Sequence, residues 1–219
     1  MMLGTMFRLS VACCCLLFFS AGAIAVDATT GVAASANREA LRLELETMLD
    51  TDQKHRRAIS AADDESERQR LWAEQLVIDK ANQVRLDDMV KQAGWPKKSE
   101  WGFKASQAAF LIAQHAPLEV MKRYYPLLQA ALAEGELLKG NFALFEDRIR
   151  MYEMRPQLYG SQLKRDPQTG KQFFWPIEDE ANVDKRRAEM ELEPLADYAR
   201  RFKNVEYVPY AQRVEQSLK

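Results

Sequence analysis

Phe145-Glu146-Asp147-Arg148-Ile149-Arg150-Met151-Tyr152-Glu153-Met154-Arg155-Pro156-Gln157-Leu158-Tyr159-Gly160-Ser161-Gln162 joins two kinds of structure. An amphipathic helix ends at Arg155-Pro156, because proline removes a backbone donor and clashes with a continuing helix. The next seven residues form a compact turn dense in amide and phenol groups, which bond in fixed directions. A helix tied off in this way predicts a mostly α protein, an irregular helical bundle with one short β-hairpin or irregular insert near residues 161–176.

Towards the C-terminus, Asp166-Pro167-Gln168-Thr169-Gly170 reads as a turn between Leu163 and Phe173-Phe174-Trp175, which gives the hairpin. Asp179 is placed to cap a helix holding Val183, Arg186 and Arg187. Pro194 opens a last helix through Leu195 and Tyr198 to about Phe202. Residues 204–219 carry no pattern and are expected to be a tail.

Towards the N-terminus, Asn141 is expected to cap the helix of the quoted stretch, after a loop bracketed by Gly135 and Gly140. Before that loop, a helix meets Pro126 and should kink there. A shorter helix ahead of Pro117 carries Ala105, Ala108, Ile112 and His115 on one stripe, after a turn at Ser99–Gly102. A long helix capped by Asp63 and Asp64, with Glu67 three residues after Asp64, holds Trp72, Leu76, Val77, Val84, Leu86, Met89 and Val90. Gly94 and Pro96 end it. Asn37 is a good cap for an earlier helix through Leu41, Leu45, Met48 and Leu49 towards Ile59, and the two should form an antiparallel pair. One domain, 37–203, follows a flexible leader at 26–36.

Residues 1–25 read as an export signal. Arg8 is a short positive region, Leu9–Phe19 is almost wholly apolar, and Ala23-Ile24-Ala25 is a small-x-small cleavage site. Cleavage after Ala25 places the chain in the periplasm or outside the cell, with no transmembrane span left; an uncut membrane anchor is the other reading. A lipoprotein reading of Cys13–Cys15 fits poorly. All three cysteines lie in the removed segment, so no disulfide, cysteine nucleophile or thiolate metal site remains. Cleavage also removes Arg8 and no acid, taking the net charge from −1 to −2. That balance gives no hint of nucleic acid binding. An apolar fraction of 47% is enough for a real core.

The whole mature chain resembles a bacterial family of domains of unknown function. The blocks that carry the likeness are, in order, Met48…Asp52-Gln53, Asp79-Lys80-Ala81-Asn82, Gly94-Trp95-Pro96, Gln114-His115-Ala116, Glu146-Asp147-Arg148, Pro156–Gln162, Pro176-Ile177-Glu178-Asp179 and Val183–Arg187. Glu191 stands where the family is expected to carry glycine. The resemblance implies a shared fold and a shared polar cluster, and no activity.

The candidate site follows from residue chemistry. His115 is one of two histidines and should point inward; it is either a core histidine satisfied by a neighbour or a general acid/base, with Asp147 or Asp52 to orient it. Arg148 and one of Arg186 or Arg187 are candidate anion clamps, unless they pair inside the fold with Asp147, Asp179 or Asp184. Gln114, Gln157, Tyr159 and Gln162 are candidate ligand contacts, unless they only tie the turn to the bundle. His55 and His115 lie on separate helices and no H-x-x-x-H spacing exists, so no metal is expected and no cofactor is called for. Two functions follow. The first is an exported binding domain for a small ligand or an envelope protein, which includes an inhibitor or immunity-type role. The second is a hydrolase or transferase using His115.

Overall fold

The apolar rows near the N-terminus become two antiparallel helices in the computed structural model, which describes residues 28–202 except 167 and 169, together with 205, 207 and 208. These are α1 (Ala28–Ala61) and α2 (Glu65–Ala93). Pairs such as Glu44 with Arg85 and Asp52 with Gln75 fix their antiparallel register. Asp64 caps α2 as its spacing predicts, its Oδ2 accepting from the Glu67 N–H at 2.8 Å. Gly94 ends α2 at a φ of 77°, where a side chain would be strained. The start of α1 differs from expectation. The helix already runs at Ala28, so the expected leader is largely helical and Asn37 lies inside α1. The expected signal peptide lies outside the described residues.

α3 (Lys98–Gln114) is the spine of the bundle and packs on α1, α2, α4 and α5. Ala105, Ala108, Ala109 and Ala113 on it are fully buried. Such small side chains let four neighbours approach one axis, and Trp101 and Phe110 fill the gaps at its sides. The turn expected at Ser99–Gly102 is the first turn of this helix, broken at Gly102 by a φ of 79° and ψ of 160°. α4 (Leu118–Ala133) continues through Pro126. α5 (Lys139–Tyr152) starts after Leu138, so Asn141 is not its cap; the Asn141 amide donates instead to Gln107 Oε1 at 2.9 Å.

The non-helical insert is where it was expected. β1 (Leu163–Arg165) pairs antiparallel with β2 (Gln172–Phe174), Leu163 opposite Phe174. A 3-10 turn at Glu180–Asn182 leads into α6 (Val183–Glu189), and α7 (Leu195–Ala199) follows, shorter than the run to Phe202. Asp179 makes no side-chain cap bond to the backbone. Glu191 takes a φ of 57°, a left-handed conformation that favours glycine. Among the described residues, no helix is long and apolar enough to cross a membrane.

Gly160 sits at the closest approach of the turn to the rest of the fold. Its φ is 68°, and a Cβ there would meet Leu195 Cδ1 at 2.8 Å and Ile177 Cδ1 at 3.1 Å. Gly160→Ala should therefore cost about 2–4 kcal/mol, backbone strain plus a clash in a packed layer. Urea denaturation measures it, and an unchanged midpoint would contradict this packing.

Candidate functional site

The quoted stretch builds a structural latch. α5 carries Asp147 on its buried face, fully out of contact with solvent. Its Oδ1 accepts from the backbone N–H of Leu158 at 2.7 Å and of Tyr159 at 3.1 Å, and its Oδ2 from the N–H of Ser161 at 2.9 Å. Burial raises the Asp147 carboxyl above its ordinary value, against the three amide donors, which pull it down. Gln157 is equally spent. Its Oε1 accepts from the Gln162 N–H at 2.8 Å, and its Nε2 donates to Gln162 O at 3.1 Å and Trp175 O at 2.7 Å. The backbone of Gln157 also exchanges bonds with Pro176 and Glu178, which ties the turn to the strand side of the insert.

Both candidate clamps serve the same latch. Arg187 is 1% exposed; it donates to Tyr159 O at 2.5 Å and Glu193 O at 2.6 Å, and its guanidinium lies 4.9 Å from the Tyr198 ring centre. Arg186 donates to Leu158 O at 2.9 Å and Glu178 O at 2.5 Å and faces Asp179 Oδ2 at 3.5 Å. Of the acids expected to pair with them, Asp179 meets Arg186, while Asp184 accepts from the Leu195 N–H at 2.7 Å. Neither arginine is therefore free to clamp a ligand. Tyr159 is half-buried, and burial first, then the charges of Asp147 and Glu146, raises its phenol above the ordinary value.

His115 belongs to a different assembly. It follows the last residue of α3 and lines a cleft of about 450 Å³ with Leu76, Asp79, Lys80 and Gln83 of α2, Ala116, Pro117 and Tyr152. No residue of the turn lines that cleft among the described residues, and Asp147, whose oxygens are filled by the latch, does not orient the imidazole. Asp52, the other candidate, is close enough to act on it electrostatically. Behind the cleft α1 and α2 contribute a buried ionic network. Arg56 Nε donates to Asp52 Oδ1 at 2.9 Å and its Nη2 to Asp79 Oδ1 at 2.6 Å. Gln75 Nε2 bridges the same two carboxylates at 2.7 and 2.8 Å.

Arg148 connects the two assemblies. Its Nε donates to Gln162 Oε1 at 3.1 Å in the turn, and its Nη1 to the carbonyl of Gln114, beside His115, at 3.0 Å. Among the described residues no carboxylate pairs with it, and burial lowers its pKa from the ordinary value. Gln114 and Gln162 both reach Leu144 O with their amides, at 3.3 and 3.4 Å. Two buried amide oxygens, Gln75 Oε1 and Gln114 Oε1, have no hydrogen-bond partner. Amide flips do not rescue them, because each Nε2 already donates to an oxygen.

The electrostatics of His115 follow from this setting. Burial, then the cations Arg56 and Arg148, pull its pKa down from 6.5 to about 4, and Asp52 opposes them. The ring is neutral near pH 7, and no described residue hydrogen-bonds to either of its nitrogens. The cleft thus offers one donor, one acceptor and a positive field at the imidazole.

Of the sequence candidates, His115 lines the cleft and Arg148 links its neighbour Gln114 to Gln162 of the turn, while Asp147, Gln157, Tyr159, Arg186 and Arg187 build the latch. Sequence reading passed over Arg56 and Gln75, and met Asp79 only as part of the family resemblance. Their signal was the pair of i,i+4 spacings Asp52/Arg56 and Gln75/Asp79 on two helices expected to lie antiparallel.

Residues 39–209 match the model of a family of unknown function (DUF6624). No curated protein and no solved structure matches the chain.

Proposed function

The chain belongs to that family of unknown function, and from this premise we propose that it is an exported binding domain whose His115 cleft holds a small ligand bearing an anionic group. One observation carries the reading. An imidazole with no hydrogen-bond partner lines an open cleft beside a buried guanidinium, Arg148, that has no carboxylate partner, both among the described residues. An anion entering there gains hydrogen bonds to the ring and offsets the charge of Arg148, the one of the two neighbouring cations without a carboxylate partner among the described residues.

Acetate and inorganic phosphate are the first probes, read by calorimetry on the mature domain. Binding should fall at least tenfold in His115→Ala. The melting temperature at pH 7 should hold within about 3 °C, since no hydrogen bond among the described residues ends on the ring. An anion also stabilises the imidazolium, so binding lifts His115 from about 4 and takes up protons. Affinity should therefore rise as pH falls from 7 towards 5. No binding at either pH, or unchanged binding by His115→Ala, would refute the site.

The hydrolase or transferase reading has less support. An imidazole pulled well below neutrality is a weak general base, and its best acid/base efficiency lies near its own pKa. Export is part of the proposal and rests on Arg8, the apolar run and Ala23-Ile24-Ala25. N-terminal sequencing from the envelope fraction should find Val26; an intact Met1 on a cytosolic chain would overturn it.

A further inference from the structure

The His115 cleft does not stop at its own rim. Leu76 and Lys80 of α2 line it, and the same two residues open an apolar groove that continues over Val77, Ala81 and Val84. Leu76 is 65% exposed, Val77 70% and Val84 58%. They recur at helical spacing, so they form one strip along the outer face of α2. From Leu76 to Val84 the strip is about 12 Å long by helical rise. Unpartnered apolar strips of this kind mark binding surfaces.

We propose that the natural ligand is a single-chain amphiphile, with an anionic headgroup in the His115 cleft and an alkyl chain along Leu76, Val77, Ala81 and Val84. The inference rests on the anion reading of the cleft and adds the chemical class of the ligand. Three observations favour this occupant. The strip starts in the cleft wall, so one molecule can span both. Lys80, which has no ion pair among the described residues, stands at the junction, where a headgroup charge would lie. The flanking charges are already matched, Arg85 to Glu44 at 2.5 Å and Lys91 to Asp88 at 3.7 Å. Among the described residues flanking the strip, that leaves no basic patch to hold an anionic membrane and no net charge to steer an oppositely charged protein.

The test is calorimetry on the mature domain with acetate, hexanoate and decanoate, each below its aggregation concentration. A methylene that becomes half-buried should tighten binding about twofold, so decanoate, four methylenes longer, should bind about fifteenfold tighter than hexanoate. Val77→Gln and Val84→Gln should each weaken decanoate severalfold and leave acetate unchanged. Lys80→Gln should weaken all three probes. Binding that ignores chain length would overturn the amphiphile and leave the anion site standing; no binding by any probe would overturn both. Capture by anionic phospholipid vesicles without binding of monomeric decanoate would overturn the proposal in favour of a membrane surface. A dimer in solution that Val77→Gln dissociates would overturn it in favour of a second copy.

Discussion

Asp147→Ala should destabilise the protein by about 3–5 kcal/mol, with the largest loss falling on the turn. The side chain is fully buried and its two oxygens accept from three backbone N–H groups, of Leu158, Tyr159 and Ser161. Removing it leaves all three donors unpaired in the interior, and each unpaired donor costs about 1–3 kcal/mol before relaxation. Asp147→Asn should cost less, about 2–3 kcal/mol, because one acceptor oxygen survives while the new NH2 faces an existing donor. Denaturant midpoints of the two variants give the ranking. Hydrogen exchange should show early opening at 157–162. The damage should spread to the cleft, because the turn carries Gln162 and Gln162 holds Arg148 at 3.1 Å. An Asp147→Ala variant within 1 kcal/mol of the parent would show that the turn stands without its carboxylate.

Where a local residue settled the backbone, the sequence was legible. Asp64, Gly94 and Pro194 bound helices as read, because a cap bond, a positive φ and a missing N–H act within one turn of chain. Asn37 and Asn141 misled because a good cap residue does not oblige a helix to begin; α1 continues N-terminal to the first, and α5 starts at Lys139. The hairpin was legible from its Asp166–Gly170 turn. The strip on α2 was not. Apolar residues at helical spacing read as core whether or not another element covers them, and only the packing shows that Val77 and Val84 face outward. The site divides the same way. His115 was visible as the polar end of the apolar stripe of α3. Of its two candidate orienting carboxylates, Asp52 acts on the ring electrostatically, while Asp147 is taken by backbone amides, partners that leave no mark on residue identity. The network of Asp52, Arg56, Gln75 and Asp79 stayed hidden because two i,i+4 pairs look like ordinary surface pairs until two helices bring them face to face.

That network makes Arg56→Met the second large effect. Arg56 holds Asp52 at 2.9 Å and Asp79 at 2.6 Å, and the three side chains are between 7 and 18% exposed. Taking the cation away leaves two carboxylates together with only amide donors, which costs about 3–5 kcal/mol near pH 7. The sign of the pH dependence follows from Asp79. Burial already raises its carboxyl above the ordinary value of 3.8, with Gln75 and Arg56 pulling it back. Losing Arg56 raises it further. A carboxyl raised in the folded state contributes stability that is present below its unfolded pKa, near 3.9, and is lost as pH rises through the folded one. The deficit of Arg56→Met relative to the parent should therefore shrink as pH falls from 7 to 4. Stability curves in urea across that range test it, and a constant deficit would contradict the burial of the pair. The same variant should move His115, since Arg56 is the largest charge holding its pKa near 4. With only two histidines in the chain, an imidazole NMR titration should resolve His115 shifting up towards 6.5. A ring that still titrates near 4 without Arg56 would show that burial, its largest cause, suffices without that cation, and would remove the positive field from the argument for an anionic ligand.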